Sequence, residues 1–143
     1  MIQKHTMTAD FEKLTYNSEM LKEVWSQSLI TANKLVEAKW TSQYLLSFIE
    51  WINSTIYSGI FFPGFSLGNL LISKPIFGKL NYQQTLSIKY DNQTDLFTME
   101  YSDWDLINTK DAYNEAIIWA LKCPGNDLSR HFIDFLKWNK NWC

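Results

Sequence analysis

The sequence predicts an α+β domain, and three observations carry that prediction. Apolar residues recur at helical spacing in the first and last thirds of the chain. Between them lies a stretch of strict alternation interrupted by polar turn residues. The length, 143 residues, fits one hydrophobic core and leaves no room for two. The expected order is two N-terminal helices, an antiparallel hairpin or small sheet, and two C-terminal helices, in one domain spanning 1–143.

Asp10 to Tyr16 reads as one helical turn packed on the body. Asn17 or Ser18 is a natural N-cap, because a short polar side chain can accept from the free N–H groups of a first turn. Leu21, Val24, Trp25, Ser28, Ala32, Leu35 and Val36 then share one face. A second helix is expected from Thr41 or Ser42, with Leu45, Phe48, Ile49, Ile52 and Ile56 as its stripe and Gly59 as its stop.

Pro63-Gly64, Gly68, Pro75 and Gly78 punctuate the region that follows, which reads as loops around a short strand at Leu70 to Ile72. From Leu80, the residues Leu80, Tyr82, Leu86, Ile88 and Tyr90 alternate with polar ones. Asp91-Asn92-Gln93-Thr94 supplies a turn, and Phe97, Met99 and Tyr101 continue the alternation on the return. A hairpin centred on Asn92-Gln93 pairs Ile88 with Phe97 and Leu86 with Met99, placing both pairs on one face. A lone hairpin is marginal in water, so a third strand and covering helices are expected.

Thr109 or Asn108 then caps a helix with Asp111 in its first turn and Tyr113, Ala116, Ile117, Ala120 and Leu121 as its stripe. Pro124-Gly125 ends it. Asn126 or Asp127 caps a last helix whose inner face is Leu128, Phe132, Phe135 and Leu136, with Arg130 and Asp134 as an outer i,i+4 pair.

Composition excludes several classes of function. Apolar residues are 46% of the chain, with seven Trp, seven Tyr and nine Phe, which rules out intrinsic disorder. Thirteen basic residues stand against fifteen acidic ones, without the basic stripe that a general nucleic-acid binder needs. Trp51 to Ser73 carries no charge, but its Pro, Gly, Asn and Ser residues argue for a buried helix end and connection, not a membrane span. Met1 to Asp10 has no apolar run of the secretory type, so the expected location is cytoplasmic.

Signals for catalysis are thin. Gly64-Phe65-Ser66-Leu67-Gly68 spells the G-x-S-x-G of a nucleophile elbow, with His131 downstream and Asp105, Asp111 or Asp127 as acids. An elbow needs a strand-to-helix turn on a parallel sheet, whereas here helices precede the motif and a hairpin follows it. A plain loop is therefore the expectation for this pentapeptide. His5 and His131 lack partners at zinc spacing. Cys123, expected on an apolar helix, and Cys143 read as free thiols. Neither a dinucleotide fingerprint nor a P-loop occurs, and no cofactor or metal is expected.

The densest signal is acidic. Asp91, Asp95, Glu100, Asp103, Asp105, Asp111 and Glu115 fall within 25 residues against one base, Lys110, and Trp104 stands among them. Carboxylates around an aromatic suit a basic protein partner: the acids steer association, and the ring supplies the buried anchor. The alternative is a solvated strand face, helix caps and a core tryptophan. Asp91, Asp95, Glu100, Asp103, Trp104, Asp105 and Asp111 are thus the candidate partner-binding residues.

In size, charge pattern and aromatic content the chain resembles the small bacterial immunity proteins that neutralise a cognate toxin. The resemblance implies a single cytoplasmic domain that binds stoichiometrically and covers a basic toxin domain through its acidic, aromatic surface, with neither nucleic acid nor membrane as partner. A secretion chaperone or other interaction module is the alternative, and a small hydrolase using Ser66 is a more distant one.

Overall fold

The structure is a computed structural model and describes residues 15–106 and 116–142. Among the described residues, three helices and a five-stranded antiparallel sheet make it α+β. Helix α1 spans Ser18–Glu37. Asn17 caps it, its Oδ1 accepting from the Met20 N–H at 2.8 Å. Leu21, Trp25, Ser28 and Ala32 form the buried stripe, and the Trp25 indole donates to the Phe61 carbonyl at 2.8 Å. The helix ends as Lys39 turns left-handed (φ 64°), so that Lys39 and Trp40 donate back to Val36 and Leu35 and satisfy the last carbonyls.

Helix α2, Gln43–Asn53, starts at Ser42, whose hydroxyl accepts from Tyr44 N at 3.1 Å. It stops six residues before the expected Gly59. The Ser54 and Thr55 hydroxyls donate to the Trp51 and Ile52 carbonyls at 2.7 and 2.8 Å, which draws the chain out of the helix. A 3-10 turn, Ile56–Gly59, follows. Ile56, expected on the inner stripe, is exposed.

The strands are β1 (Phe62–Ser66), β2 (Asn69–Ser73), β3 (Gln84–Asp91), β4 (Leu96–Asp103) and β5 (Ile117–Pro124), and each pairs with its neighbour in sequence. The short strand expected at Leu70 to Ile72 is β2. The β3–β4 hairpin keeps the expected apolar phase but shifts its register by two residues. Ile88 pairs with Met99 and Leu86 with Tyr101, because the turn takes in Thr94 and Asp95 as well as Asn92 and Gln93. An even shift leaves every side chain on its own face. Leu80 and Tyr82 precede β3 instead of opening it; there the Asn81 side chain accepts from the Gln83 N–H and forms a turn.

The largest correction concerns Ile117 to Leu121 and Cys123, expected on a helix. They form β5, which pairs with β4 from Phe97↔Cys123 to Tyr101↔Trp119. Ala116, Ile117, Ala120 and Leu121 fit helical spacing, but Ile117, Trp119, Leu121 and Cys123 also alternate, and the ladder groups of β4 require a partner. A bulge between Tyr101 and Ser102 leaves Ile118 as the extra residue. Asn108, Thr109, Asp111 and Tyr113, with which that helix was expected to begin, lie outside the described residues, as does the turn expected at Asp10 to Tyr16 up to position 14; Thr15 and Tyr16 are described and are not helical.

Helix α3, Leu128–Trp138, buries the expected Leu128, Phe132, Phe135 and Leu136. Arg130 pairs with Asp127 at 3.2 Å, not with Asp134, which faces His131 Nδ1 at 3.8 Å. The inner faces of all three helices and of the sheet share one core, with Trp25, Phe48, Ile72, Leu86, Phe97, Phe132 and Phe135 at its centre. The other sheet face carries Thr85, Ser87, Lys89, Thr98, Glu100 and Lys122, a polar pattern typical of a solvated antiparallel face. Among the described residues no helix is long and apolar enough to cross a membrane.

Candidate functional site

The sheet has two unlike ends. One, the turn end, carries the two-residue turn Leu67-Gly68, the turn Asn92–Asp95 and the exit of β5 at Pro124. The other, the open end, gathers the connection 74–83, Asp103, the 3-10 turn Trp104–Leu106, the start of β5 and residues 139–142 beyond α3.

The acidic residues that cluster in sequence are divided between these ends. Asp91 and Asp95 sit at the turn end, where both build the turn. Asp91 accepts from Gln93 N at 2.9 Å, and that bond, with help from Thr94, holds its carboxyl below the usual range. Asp95 accepts from the Tyr90 hydroxyl at 2.7 Å, which pushes the phenol's pKa up. Glu100 lies mid-sheet on the outer face and pairs with Lys89 at 2.8 Å, so its charge is compensated. Of the candidates among the described residues, only Asp103, Trp104 and Asp105 come together, at the open end. β4 separates them from Asp91 and Asp95 by its eight residues, roughly 25 Å of extended chain. Asp111 lies outside the described residues.

Asp103 is not a surface acid. It is buried and accepts from Gln84 Nε2 at 3.3 Å and from Asp105 N at 3.0 Å. It thereby fixes the chain's exit from β4 and holds the Trp104 ring at the surface, while Trp104 N donates to the Gln83 carbonyl at 2.9 Å. Asp105 is exposed beside it.

Other open-end residues escape a reading of the sequence. Phe77 and Gly78 form a two-residue turn closed by reciprocal bonds between Ile76 and Lys79 at 2.8 and 3.0 Å. Both turn residues have positive φ, 51° and 79°, and the Phe77 ring is 95% exposed. A bulky residue in the left-handed region is uncommon and costs about 1–2 kcal/mol. Tyr82, Ile76, Trp138 and Ile118 are exposed at the same end. The signal in sequence was an apolar residue followed by glycine between two turn-forming runs, which marks a tight turn but not the end of the sheet on which it stands.

Two cavities open beside these rings. One, of about 390 Å³, lies between Phe77, Gln84 and Trp142, and its rim is tied by Lys74 Nζ donating to the Asn141 carbonyl at 3.0 Å. The second, of about 300 Å³, is bordered by Tyr101, Asp103, Ile118, Trp138, Asn139 and Lys140. Burial raises the Tyr101 phenol's pKa, and the neighbouring Asn139 amide opposes that rise. Asn139 is itself only 7% exposed, yet its Nδ2 has no hydrogen-bond partner of ordinary geometry.

The catalytic candidates are dispersed. The G-x-S-x-G pentapeptide is a β-hairpin: Ser66 ends β1, Leu67 and Gly68 are the turn, and Asn69 opens β2. The strand-to-helix elbow that would raise a serine above a sheet is absent from this segment. Cys123 is a buried free thiol whose pKa burial pushes up, the opposite of a reactive cysteine. Among the described residues no three His, Cys, Asp or Glu side chains come together as a metal site. No protein-family model matches the chain, and neither a curated protein nor a solved structure matches it.

Proposed function

We propose that the protein works by stoichiometric binding at the open end, as a cytoplasmic toxin-neutralising immunity protein whose partner is a basic toxin domain. The observation that carries this reading is the company of exposed rings there. Phe77, Tyr82, Trp104 and Trp138 share one end of the sheet with Asp105 at the surface. Aromatic anchors supply most of the energy of protein interfaces, and flanking carboxylates speed encounter with a basic surface. Phe77 strengthens the case: its turn holds a bulky ring out in water in a backbone conformation that Asn or Gly would adopt more easily. Asp91, Asp95 and Glu100 stand apart from this surface. They contribute at most to the long-range field.

The test is co-expression in a bacterial host with the toxin domain encoded beside its gene. The expected result is restored growth and a one-to-one complex, both lost in a Phe77→Asn/Trp104→Ala variant that still folds. Restored growth with that variant would move the interface elsewhere. Labelling of Ser66 by a fluorophosphonate probe would replace the binding reading with a catalytic one.

A further inference from the structure

We propose that a third cavity, between the 3-10 turn Ile56–Gly59 and helix α3, is a binding site for a medium-chain aliphatic carboxylate. The site is independent of the docking surface at the open end. It measures about 300 Å³, and its walls are Ile56, Tyr57, Ile60, Ile133, Leu136 and Trp142. Local chemistry opens it. The Ser54 and Thr55 hydroxyls draw the chain out of α2, so Ile56 leaves the inner stripe and stands at the rim, 75% exposed. Ile60 and Ile133 are half-buried beside it, and Leu136 and Trp142 line the cavity from the buried side. Single exposed apolar residues are ordinary, but several of them around one cavity mark a place that takes an apolar group.

Among the described residues at this cavity, Lys137 alone is charged. It follows Ile133 by one turn of α3, on the same flank, and is exposed. Lys89, Arg130 and His131 face carboxylates, whereas among the described residues Lys137 is in no such pair. Its stem can lie along the apolar wall while its ammonium stays at the mouth. The matching occupant is apolar along its length and carries an anion at one end. A cationic amphiphile would meet Lys137, and a polar ligand would bury its hydrogen-bonding groups against hydrocarbon. A second copy docked cavity to cavity would set one Lys137 against another. A carboxylate brings one negative charge to one ammonium, where a phosphate ester brings nearly two. At about 30 Å³ for the liquid-state share of a water, the cavity has the bulk of roughly ten waters, which suits a chain of about eight carbons with its head outside.

The test is an NMR titration of the full chain, labelled at the isoleucine methyls, with hexanoate, octanoate, octan-1-ol and octylamine. The expected result is a saturable shift of the Ile56, Ile60 and Ile133 methyls with octanoate, at a Kd of about 0.1–1 mM. Each buried methylene should tighten binding about fourfold, so octanoate should bind roughly fifteenfold more tightly than hexanoate. Octan-1-ol should bind less tightly than octanoate, and octylamine least of the eight-carbon series. Lys137→Glu, at an exposed position, should reverse the order of octanoate and octylamine. Ile56→Asp, also exposed, should abolish the octanoate response and leave the spectrum otherwise dispersed. No shift at about 10 mM octanoate, equal affinity for the carboxylate, the alcohol and the amine, or an unchanged order in Lys137→Glu would overturn the site.

Discussion

Leu67-Gly68 and Phe77-Gly78 are the same turn used for different ends. In both, an exposed apolar residue with φ near 50° precedes a glycine with φ near 80°. Leu67-Gly68 joins two paired strands, and its glycine lies under Trp40: a Cβ there would meet the Trp40 ring at 2.9 Å. Gly125, where β5 leaves the sheet, is roofed by Tyr44 in the same way. At the open end Gly78 is packed as well, a Cβ there falling 2.5 Å from Thr15 Cγ2, and both Leu67 and Phe77 stand out in solvent. What differs is the residue before the glycine, which at the open end is an aromatic ring beside a cavity. The same two-residue turn can carry an aliphatic side chain or display a ring, and its first position decides which.

Substitutions can break this contrast. The largest expected effect is at Gly125, where a Cβ would fall 2.3 Å from the Tyr44 Cβ. Gly125→Ala should cost about 3 kcal/mol of stability through overpacking, read as a Tm lower by several degrees, with partner kinetics unchanged. Next is Phe77→Asn, which removes the ring and keeps a residue tolerant of the left-handed region. It should weaken partner binding by about 2 kcal/mol, or roughly thirtyfold in Kd, and raise the melting temperature slightly. Leu67→Asn is its control: a gain of about 1 kcal/mol in denaturant unfolding and no change in binding. If Leu67→Asn weakened binding as much as Phe77→Asn, the two ends would not differ in function.

The smallest effect concerns pH. The Asp91 carboxyl holds its proton less readily in the folded turn than its ordinary value of 3.8. Its support for the turn is therefore complete above that value and fades as pH falls through the lower folded pKa. Asp91→Asn should remove this acid-side slope from amide exchange in the turn and leave exchange at the open end unaltered.

How legible the fold was follows from the range of the forces that shape each element. The Asn17 and Ser42 caps, the inner face of α3 and the phase of β3 and β4 are set by neighbours a few residues away, and the sequence displays them. β5 is set by β4, some 20 residues back, and Ile117 to Leu121 satisfies helical and strand spacing alike. The acidic run misled for a geometric reason. Charges near in sequence are carried apart by an extended strand, so Asp91 and Asp103 occupy opposite ends while Glu100 meets Lys89 between them. Asp103, Trp104 and Asp105 were visible as candidates. Phe77, Trp138 and Asn139 were not, since what makes them a surface is the topology that gathers 74–83 and 139–142 at one end.

Trp142 bears on the timing of synthesis. Its ring is buried 5.3–5.4 Å from those of Phe61, Tyr101 and Phe135. A nascent chain that has not reached residue 142 can pair its five strands, but the core still lacks a wall. Losing a buried tryptophan costs about 3–5 kcal/mol, a large share of the 5–15 kcal/mol typical of a whole domain. A chain interrupted before residue 142 is therefore short of that stabilisation and should be cut by a protease that spares the intact fold.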